Sequence, residues 1–125
     1  LARAALEAIC YQSRDVLDAM AAGAGLNLQV LRADGGAARN SLLLQIQADV
    51  LGAPVERPTN IETTALGAAY LAGHAVGVWP RLDDLRSRRQ VDRVFTPALD
   101  AGEREQRYRT WAKAVRLARG WAAPA

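Results

Sequence analysis

Apolar positions along the chain change their spacing several times, and each change predicts the end of one element and the start of the next. Over residues 6–22 the apolar side chains recur every three to four positions, which predicts a first helix ended by Gly23 and Gly25. A period of two follows over about 27–32 and predicts a first strand. Its alternating positions are Leu26, Leu28 and Val30. Helical spacing then returns and predicts a second helix from about residue 38 or 40 to residue 51.

The segment after the second helix predicts one short strand and a third helix. Proline stands at both ends of residues 54–58, so this segment is at best a short strand near a sheet edge. Thr59 and Glu62 have the spacing of a capping box, in which two side chains accept from each other's backbone N–H groups. A helix follows over about 65–73, and Gly67 within it costs about 1 kcal/mol relative to Ala. We therefore expect another backbone or a ligand to lie close to this bare surface.

The C-terminal part of the chain predicts an extended segment and a long helix. Residues 91–97 are extended but weakly specified, and a terminal helix runs over about 101–121. One side of that helix is apolar and rich in aromatic side chains. Its members are Tyr108, Trp111, Val115, Ala118 and Trp121. Such a stripe is more typical of docking against the rest of a domain than of a ligand cage.

Two consecutive glycines, Gly35 and Gly36, stand where the first strand turns into the second helix. Because glycine has no Cβ, it adopts positive φ easily and lets another group approach backbone N–H groups, here at the positively polarised start of a helix. Such a corner suits a phosphate or a ribose. The same pair is also typical of an ordinary tight turn, so the pattern alone leaves both interpretations open.

Composition indicates a globular protein without a membrane span. The 125 residues suffice for one domain or part of one, half of them are hydrophobic, and no apolar run approaches the ~20 residues that cross a bilayer. The single cysteine, Cys10, cannot form an internal disulfide, which favours a reducing, cytoplasmic setting and a role as a small buried side chain. Because residue 1 is Leu and the helical pattern is already under way there, we expect the chain to be cut from a longer protein.

The chain carries a net charge of +3, and most of its basic residues lie from Arg81 onward. Nucleic-acid binding is one interpretation of this concentration. Acidic residues are interspersed among the basic ones, however, and the aromatic residues Tyr108 and Trp111 lie on the apolar stripe of the last helix. A solvated outer face is therefore the better interpretation, and we expect no nucleic-acid partner.

Four motifs stand apart along the chain, at residues 31–37, 45–52, 55–58 and 62–73. Together they closely resemble the C-terminal part of the glycerol kinases, members of the FGGY carbohydrate kinase family. The opening residues 3–16 are similar to the helix that precedes this region in the family. The motifs recur in the family's order and at its intervals, and the likeness is strongest over residues 31–79 and weakest after residue 100.

The resemblance implies an α/β fold, a partial actin-like ATPase (ribonuclease-H-like) domain, with residues 1–125 as the C-terminal, nucleotide-side segment of the second of two domains. In the family those domains close on a cleft in which ATP phosphorylates glycerol to give sn-glycerol 3-phosphate. The implied cofactors are ATP or ADP with magnesium. The magnesium ligands, the catalytic aspartate and the residues that hold glycerol lie outside this segment in the family. We therefore expect no catalytic and no metal-binding residue here, and an inactive fragment.

The resemblance also assigns the nucleotide-binding positions. Gly36 matches the glycine that contacts the nucleotide, Asn40 matches the asparagine that contacts it from the first turn of the helix, and Gly35 would support the turn. An asparagine side chain offers adenosine both amide donors and an acceptor. The sequence departs from the family at Arg39 and Ser41, where small or amide residues are common.

Other interpretations stay open at this stage. A kinase for another sugar or polyol of the FGGY family would share every motif above, because no substrate-contacting residue is expected in this segment. A basic nucleic-acid-binding domain without enzymatic activity is an alternative of a different class. The family also forms homo-oligomers, and three tryptophans are candidates for such a contact. They are Trp79, Trp111 and Trp121.

Overall fold

The computed structural model describes residues 1–25 and 27–121 of the chain. Its helices are α1 (Ala2–Ala24), α2 (Ser41–Leu51), α3 (Thr63–Ala75), α4 (Leu82–Arg86) and α5 (Ala101–Trp121). Its strands are β1 (Leu31–Arg32), β2 (Val55–Pro58) and β3 (Val91–Phe95). A 3-10 turn at Gly36–Arg39 connects the region of β1 to α2. This order agrees with the predicted succession of helix, strand, glycine turn, helix, short strand and helices.

The three strands form one sheet in the order β1-β2-β3. β2 is parallel to β1 and antiparallel to β3, with Val55 opposite both Leu31 and Phe95. The prediction that residues 54–58 lie at a sheet edge is therefore wrong, because β2 is the central strand. Pro58 is tolerated there because the register with β3 shifts between Arg57 and Pro58, where a regular ladder bond is not required.

β1 is shorter than the predicted strand over 27–32. Pairing with β2 begins only at Val55, just after Pro54, so only Leu31 and Arg32 have partners among the described residues. Leu28, one of the alternating positions, is 37 % exposed, and Leu26 lies outside the described residues. Alternation alone overestimated this strand because strand length depends on the partner as well as on local pattern.

α2 is the centre of the packing. One of its faces contributes to a buried cluster against the sheet, and another to a buried cluster against α1. The first cluster consists of Ala38, Leu44, Ala48, Val55 and Phe95, and the second of Cys10, Leu43, Ile46 and Val50. As expected, Cys10 is a small buried side chain, with burial raising its pKa from 9.0 to about 12. α2 therefore holds the sheet and α1 together.

Local sequence signals set the ends of α1 and α2. Gly25 and Gly52 each follow the last helical residue in the left-handed conformation, with φ of 65° and 68°. Gly23, predicted as a second stop signal, lies inside α1. The predicted capping box before α3 is wrong, because Thr59 donates its N–H to Gln90 O at 3.0 Å beside the sheet, and Glu62 makes no side-chain cap.

The aromatic stripe of α5 docks on α1, as predicted, but only over part of its length. Trp111 stacks on Tyr11 with ring centroids 5.5 Å apart and donates its Nε1–H to Asp15 at 3.2 Å. Tyr108 also donates to Asp15. Trp121, at the end of the same stripe, is 92 % exposed, so the docking prediction is wrong there. Within residues 1–25 and 27–121, the helices are too short or too polar for a membrane span.

Candidate functional site

The backbone of the glycine turn has a conformation at Gly35 that only a glycine adopts easily. Its φ of 77° and ψ of −179° lie in a region that side chains disfavour. The N–H of Gly35 donates to Ile61 O at 2.8 Å, and two residues earlier the N–H of Ala33 donates to Glu56 O at 3.0 Å. These bonds connect the turn to β2 and to the segment before α3.

Gly36 presents open backbone at the first position of the 3-10 turn. An ideal Cβ built on Gly36 meets no described atom within 4 Å. The first bond of the turn runs from Ala38 N–H to Gly35 O at 3.1 Å. The N–H groups of Gly36 and Ala37 precede that bond, so the turn itself offers them no acceptor. An oxygen atom of a ligand can therefore reach them.

Asn40 directly precedes α2 and caps the helix with its side-chain oxygen. Its Oδ1 accepts from the N–H groups of Leu42 and Leu43 at 3.1 and 3.2 Å, which makes it the N-cap. The sequence predicted that Asn40 would offer a ligand both donors and an acceptor. Because the acceptor is committed to the helix, the side chain offers a ligand its Nδ2 donors.

Arg57 lies behind the turn and was not predicted as a site residue. Its Nη1 donates to Ala38 O at 3.1 Å, to Arg39 O at 3.5 Å and to Ser41 Oγ at 3.2 Å. Its Nε donates to Asp92 Oδ2 at 2.7 Å, and only 16 % of its side chain is exposed. The available signal was the position of Arg57 inside the 55–58 motif, but the sequence alone does not show which backbone it reaches.

A cleft of about 810 Å³ opens beside the turn. Ala33, Asp34 and Arg39 line it from the turn, while Gly67 and Tyr70 line it from α3. The lining includes Asp34 and Arg39 but not the predicted site residues Gly35, Gly36 and Asn40, so the structure places these three residues beside the lining rather than in it. An ideal Cβ on Gly67 meets no described atom within 4 Å, so the close approach expected there is not made by the described part of the chain.

Three of the four arginines that line this cleft are paired with carboxylates, and the fourth, Arg88, lies over the ring of Trp79. Glu56 accepts from Arg89 and from Arg32, whose Nε lies 3.5 Å away, and the hydrogen bond to Arg89 holds the pKa of Glu56 below its usual value. Arg39 lies 3.8 Å from Glu62. This mixture of charges does not favour a nucleic-acid surface. Among the described residues, no group of three or more His, Cys, Asp or Glu side chains could hold a metal ion.

Curated relatives share this sequence over nearly its whole length. The chain is 57 % identical over 121 residues to a protein of Carboxydothermus hydrogenoformans named glycerol kinase, and the match covers 97 % of this chain and 24 % of that protein. The chain thus spans about a quarter of the length of the curated relatives it matches.

Solved structures support the expected fold. The glycerol kinase of Plasmodium falciparum, solved with ADP, is 37 % identical and superposes with a TM-score of 0.82, over 91 % of this chain and 23 % of that one. Xylulose kinase of Rhodospirillum rubrum is 27 % identical with a TM-score of 0.73, over 95 % of this chain and 24 % of that one. The prediction of a partial actin-like ATPase domain is confirmed by these neighbours.

Residues 1–76 match the family model for the C-terminal domain of the FGGY family of carbohydrate kinases. This match covers more than half of the 125 residues, and it includes the glycine turn, α2 and α3. The chain therefore belongs to the FGGY family of carbohydrate kinases.

Proposed function

We propose that this chain is the C-terminal, nucleotide-side portion of an ATP-dependent glycerol kinase, which transfers the γ-phosphate of ATP to glycerol and gives sn-glycerol 3-phosphate. The longer protein that would carry this chain is called the complete kinase below. In this proposal Gly36 and Asn40 contact the nucleotide, and Gly35 shapes the turn that presents them.

The open backbone at Gly36 is the observation that carries the proposal. The N–H groups of Gly36 and Ala37 precede the first hydrogen bond of the turn, which gives them no acceptor, and a Cβ on Gly36 would meet no described atom within 4 Å. Asn40 adds its Nδ2 donors beside them. A site of donors at the start of a helix fits the oxygen atoms of a nucleotide.

The chemistry itself would come from outside this chain. ATP supplies the phosphoryl group when it is bound, and the part contributed here is binding and orientation of the nucleotide. Phosphoryl transfer depends on positioning and on charge neutralisation across a whole cleft. The resemblance to the glycerol kinases implies that the magnesium ligands, the catalytic aspartate and the glycerol site belong to the remaining part of the complete kinase.

The name of the curated relatives favours glycerol as the acceptor over another polyol, since the relative at 57 % identity is named glycerol kinase. A screen of glycerol, xylulose and related sugars with the complete kinase tests this choice. We expect the highest kcat/KM with glycerol. Preference for a sugar would move the enzyme to another branch of the same family.

We further propose that the complete kinase is a cytoplasmic homo-oligomer without a nucleic-acid partner. The free, buried Cys10 suits a reducing compartment. Trp121 and Val76 are large apolar side chains with exposures of 92 % and 79 %, which makes them candidates for contacts outside this chain.

Substitution of Gly36 by Val in the complete kinase tests the nucleotide site. The valine side chain would occupy the open space and remove hydrogen bonds worth about 1.5–3 kcal/mol each when they reach a charged group, so we expect the KM for ATP to rise at least about tenfold. The KM for glycerol should stay the same. Gly23→Val is the matched control, because Gly23 also has no described atom within 4 Å of an ideal Cβ but lies in α1. An unchanged KM for ATP in Gly36→Val would refute the site.

A further inference from the structure

We propose that Arg57 is a positioning residue for the nucleotide turn, residues 35–40. It maintains the break at Asn40, where the 3-10 turn ends and α2 begins, so that the two do not merge into one helix. This inference rests on the proposed function, because it concerns the same Gly36 and Asn40. Arg57 does not need to touch the nucleotide. It acts on the backbone that carries the groups that do.

The guanidinium of Arg57 gathers three acceptors from the break. They are Ala38 O at 3.1 Å, Arg39 O at 3.5 Å and Ser41 Oγ at 3.2 Å. Asp92 on β3 fixes the guanidinium from the other side through a 2.7 Å bond to Nε. The sheet therefore fixes the position of Arg57, and Arg57 fixes the backbone of residues 38–41.

Arg57 and Asn40 together replace two bonds of a continuous helix. In an unbroken α-helix the N–H groups of Leu42 and Leu43 would donate four residues back, to the same two carbonyls that accept from Arg57. Here both N–H groups donate to Asn40 Oδ1 instead. Asn40 thus satisfies the two N–H donors, and Arg57 satisfies the two carbonyl acceptors. The helix cannot extend toward the glycines unless both sets of side-chain hydrogen bonds break.

Loss of Arg57 would leave those two carbonyls without their side-chain donor. The simplest way to satisfy them is to extend α2 backward by one turn, which releases Asn40 from its capping position and changes the direction of the Gly36 N–H. The nucleotide would then meet a wall of different geometry.

The charge of Arg57 supports this reading over a purely stabilising one. A cation at the start of a helix faces the positive end of the helix dipole, which is unfavourable. Arg14, at the other end of α2, lies where a cation is favoured and donates to Val50 O at 3.2 Å. The location of Arg57 is therefore explained by the acceptors it reaches, while Asp92 compensates its charge.

The test uses Arg57→Met, Arg57→Lys and Asp92→Asn in the complete kinase. We expect the KM for ATP to rise about tenfold in Arg57→Met, to an intermediate value in Arg57→Lys, and about two- to threefold in Asp92→Asn. The KM for glycerol should stay constant, which a general loss of structure would not give. Lysine rescues only in part because a compact ammonium cannot reach all the acceptors at once.

Arg14→Met and Asp18→Asn are the matched controls. Arg14 is 12 % exposed and bonds Asp18 through Nε and Oδ2, as Arg57, 16 % exposed, bonds Asp92. Both controls should lower the melting temperature and leave the KM for ATP unchanged. If Arg57→Met fails to fold, Asp92→Asn still decides, because Asp92 is 45 % exposed and we expect its replacement to leave the fold intact.

The outcomes separate this inference from the proposed function. If Gly36→Val raises the KM for ATP while the folded Arg57 and Asp92 variants do not, the role of Arg57 is refuted and the nucleotide site stands. If Gly36→Val has no effect, the site itself is refuted. An equal rise in the Arg14 control would reduce Arg57 to an ordinary structural residue and would also refute the inference.

Discussion

A largely buried arginine lies at each end of α2, Arg14 at the C-terminal end and Arg57 at the N-terminal end. Their side chains are 12 % and 16 % exposed. Arg14 donates to one backbone carbonyl and two carboxylates, and Arg57 donates to two backbone carbonyls and one carboxylate. They differ in what the surrounding backbone does. At the C-terminal end the helix stops at a glycine, and at the N-terminal end it is interrupted beside the proposed nucleotide site.

The C-terminal end is built for stability. Arg14 donates to Glu105 of α5 at 2.7 Å and to Asp18 of α1 at 3.2 Å, and its guanidinium lies 3.9 Å from the ring centroid of Tyr108. Burial opposes its charge, but the hydrogen bonds to these two carboxylates raise its pKa above the usual value. One side chain therefore joins α1, α2 and α5. The same residue type therefore stabilises packing at one end of α2 and supports the geometry of the proposed site at the other.

Removal of Arg14 should give the largest change in stability. Arg14→Met leaves Val50 O and Glu105 without their donor, and we expect a loss of about 2–3 kcal/mol in the free energy of unfolding. Urea unfolding of the complete kinase measures it. A change in the KM for ATP alongside would contradict the division between the two ends.

Alanine substitutions at Gly52 and at Gly36 should have effects of intermediate size, on stability at Gly52 and on ATP binding at Gly36. Gly52 has φ of 68°, and a Cβ there would lie 2.5 Å from Cζ of Arg104, so Gly52→Ala should cost about 1–2 kcal/mol of stability and leave ATP binding unchanged. Gly36→Ala meets open space and should change stability by less than about 0.5 kcal/mol while raising the KM for ATP. Unfolding curves and ATP titrations of the two variants measure both effects. Equal losses of stability in the two variants would contradict the assignment of Gly52 to the fold and of Gly36 to the ATP site.

The pH dependence of the α1–α5 contact gives the smallest expected effect. The hydrogen bond to Asp15, with burial, raises the pKa of Tyr108 from 10.0 to about 12. Because the folded state then holds this proton more tightly, its contribution is complete below pH 10 and is lost as the pH rises toward 12.

Tyr108→Phe should therefore lose less stability between pH 10 and pH 12 than the unchanged protein. Unfolding measured across that range tests the difference, with Tyr70→Phe as the control. Tyr70 lies on α3 and packs edge-on against Trp79, with ring centroids 5.2 Å apart, so its replacement leaves the Asp15 bond in place. Equal slopes for Tyr108→Phe and the unchanged protein would refute the role of the Asp15 bond.

Local chemistry made much of the fold predictable. The ends of α2 follow from Gly52, Pro54 and the position of Asn40, and α5 follows from its periodicity, because each signal acts within a few residues. The central place of β2 was not predictable in this way. It depends on pairing with β3, more than 30 residues away, and the same pairing displaced Thr59 from the expected capping box.

The candidate site divides in the same way. The glycine turn could be found from two adjacent residues and from the family resemblance, and the assignment of Gly35, Gly36 and Asn40 to the nucleotide stays a prediction. Arg57 could not be found, because its partners lie 16 to 35 residues away in the sequence. The capping bonds that commit Asn40 Oδ1 span only two and three residues, so they could have been expected once Asn40 was taken as the residue before α2.

A structure of the complete kinase with ADP would show directly whether the glycine turn contacts the nucleotide. We expect the nucleotide to lie within about 3 Å of the Gly36 N–H and of Asn40 Nδ2, as for hydrogen bonds. Arg57 should still donate to the carbonyls of Ala38 and Arg39. A nucleotide bound away from this turn, or an α2 that runs unbroken through residues 38–41, would refute both the proposed site and the role of Arg57.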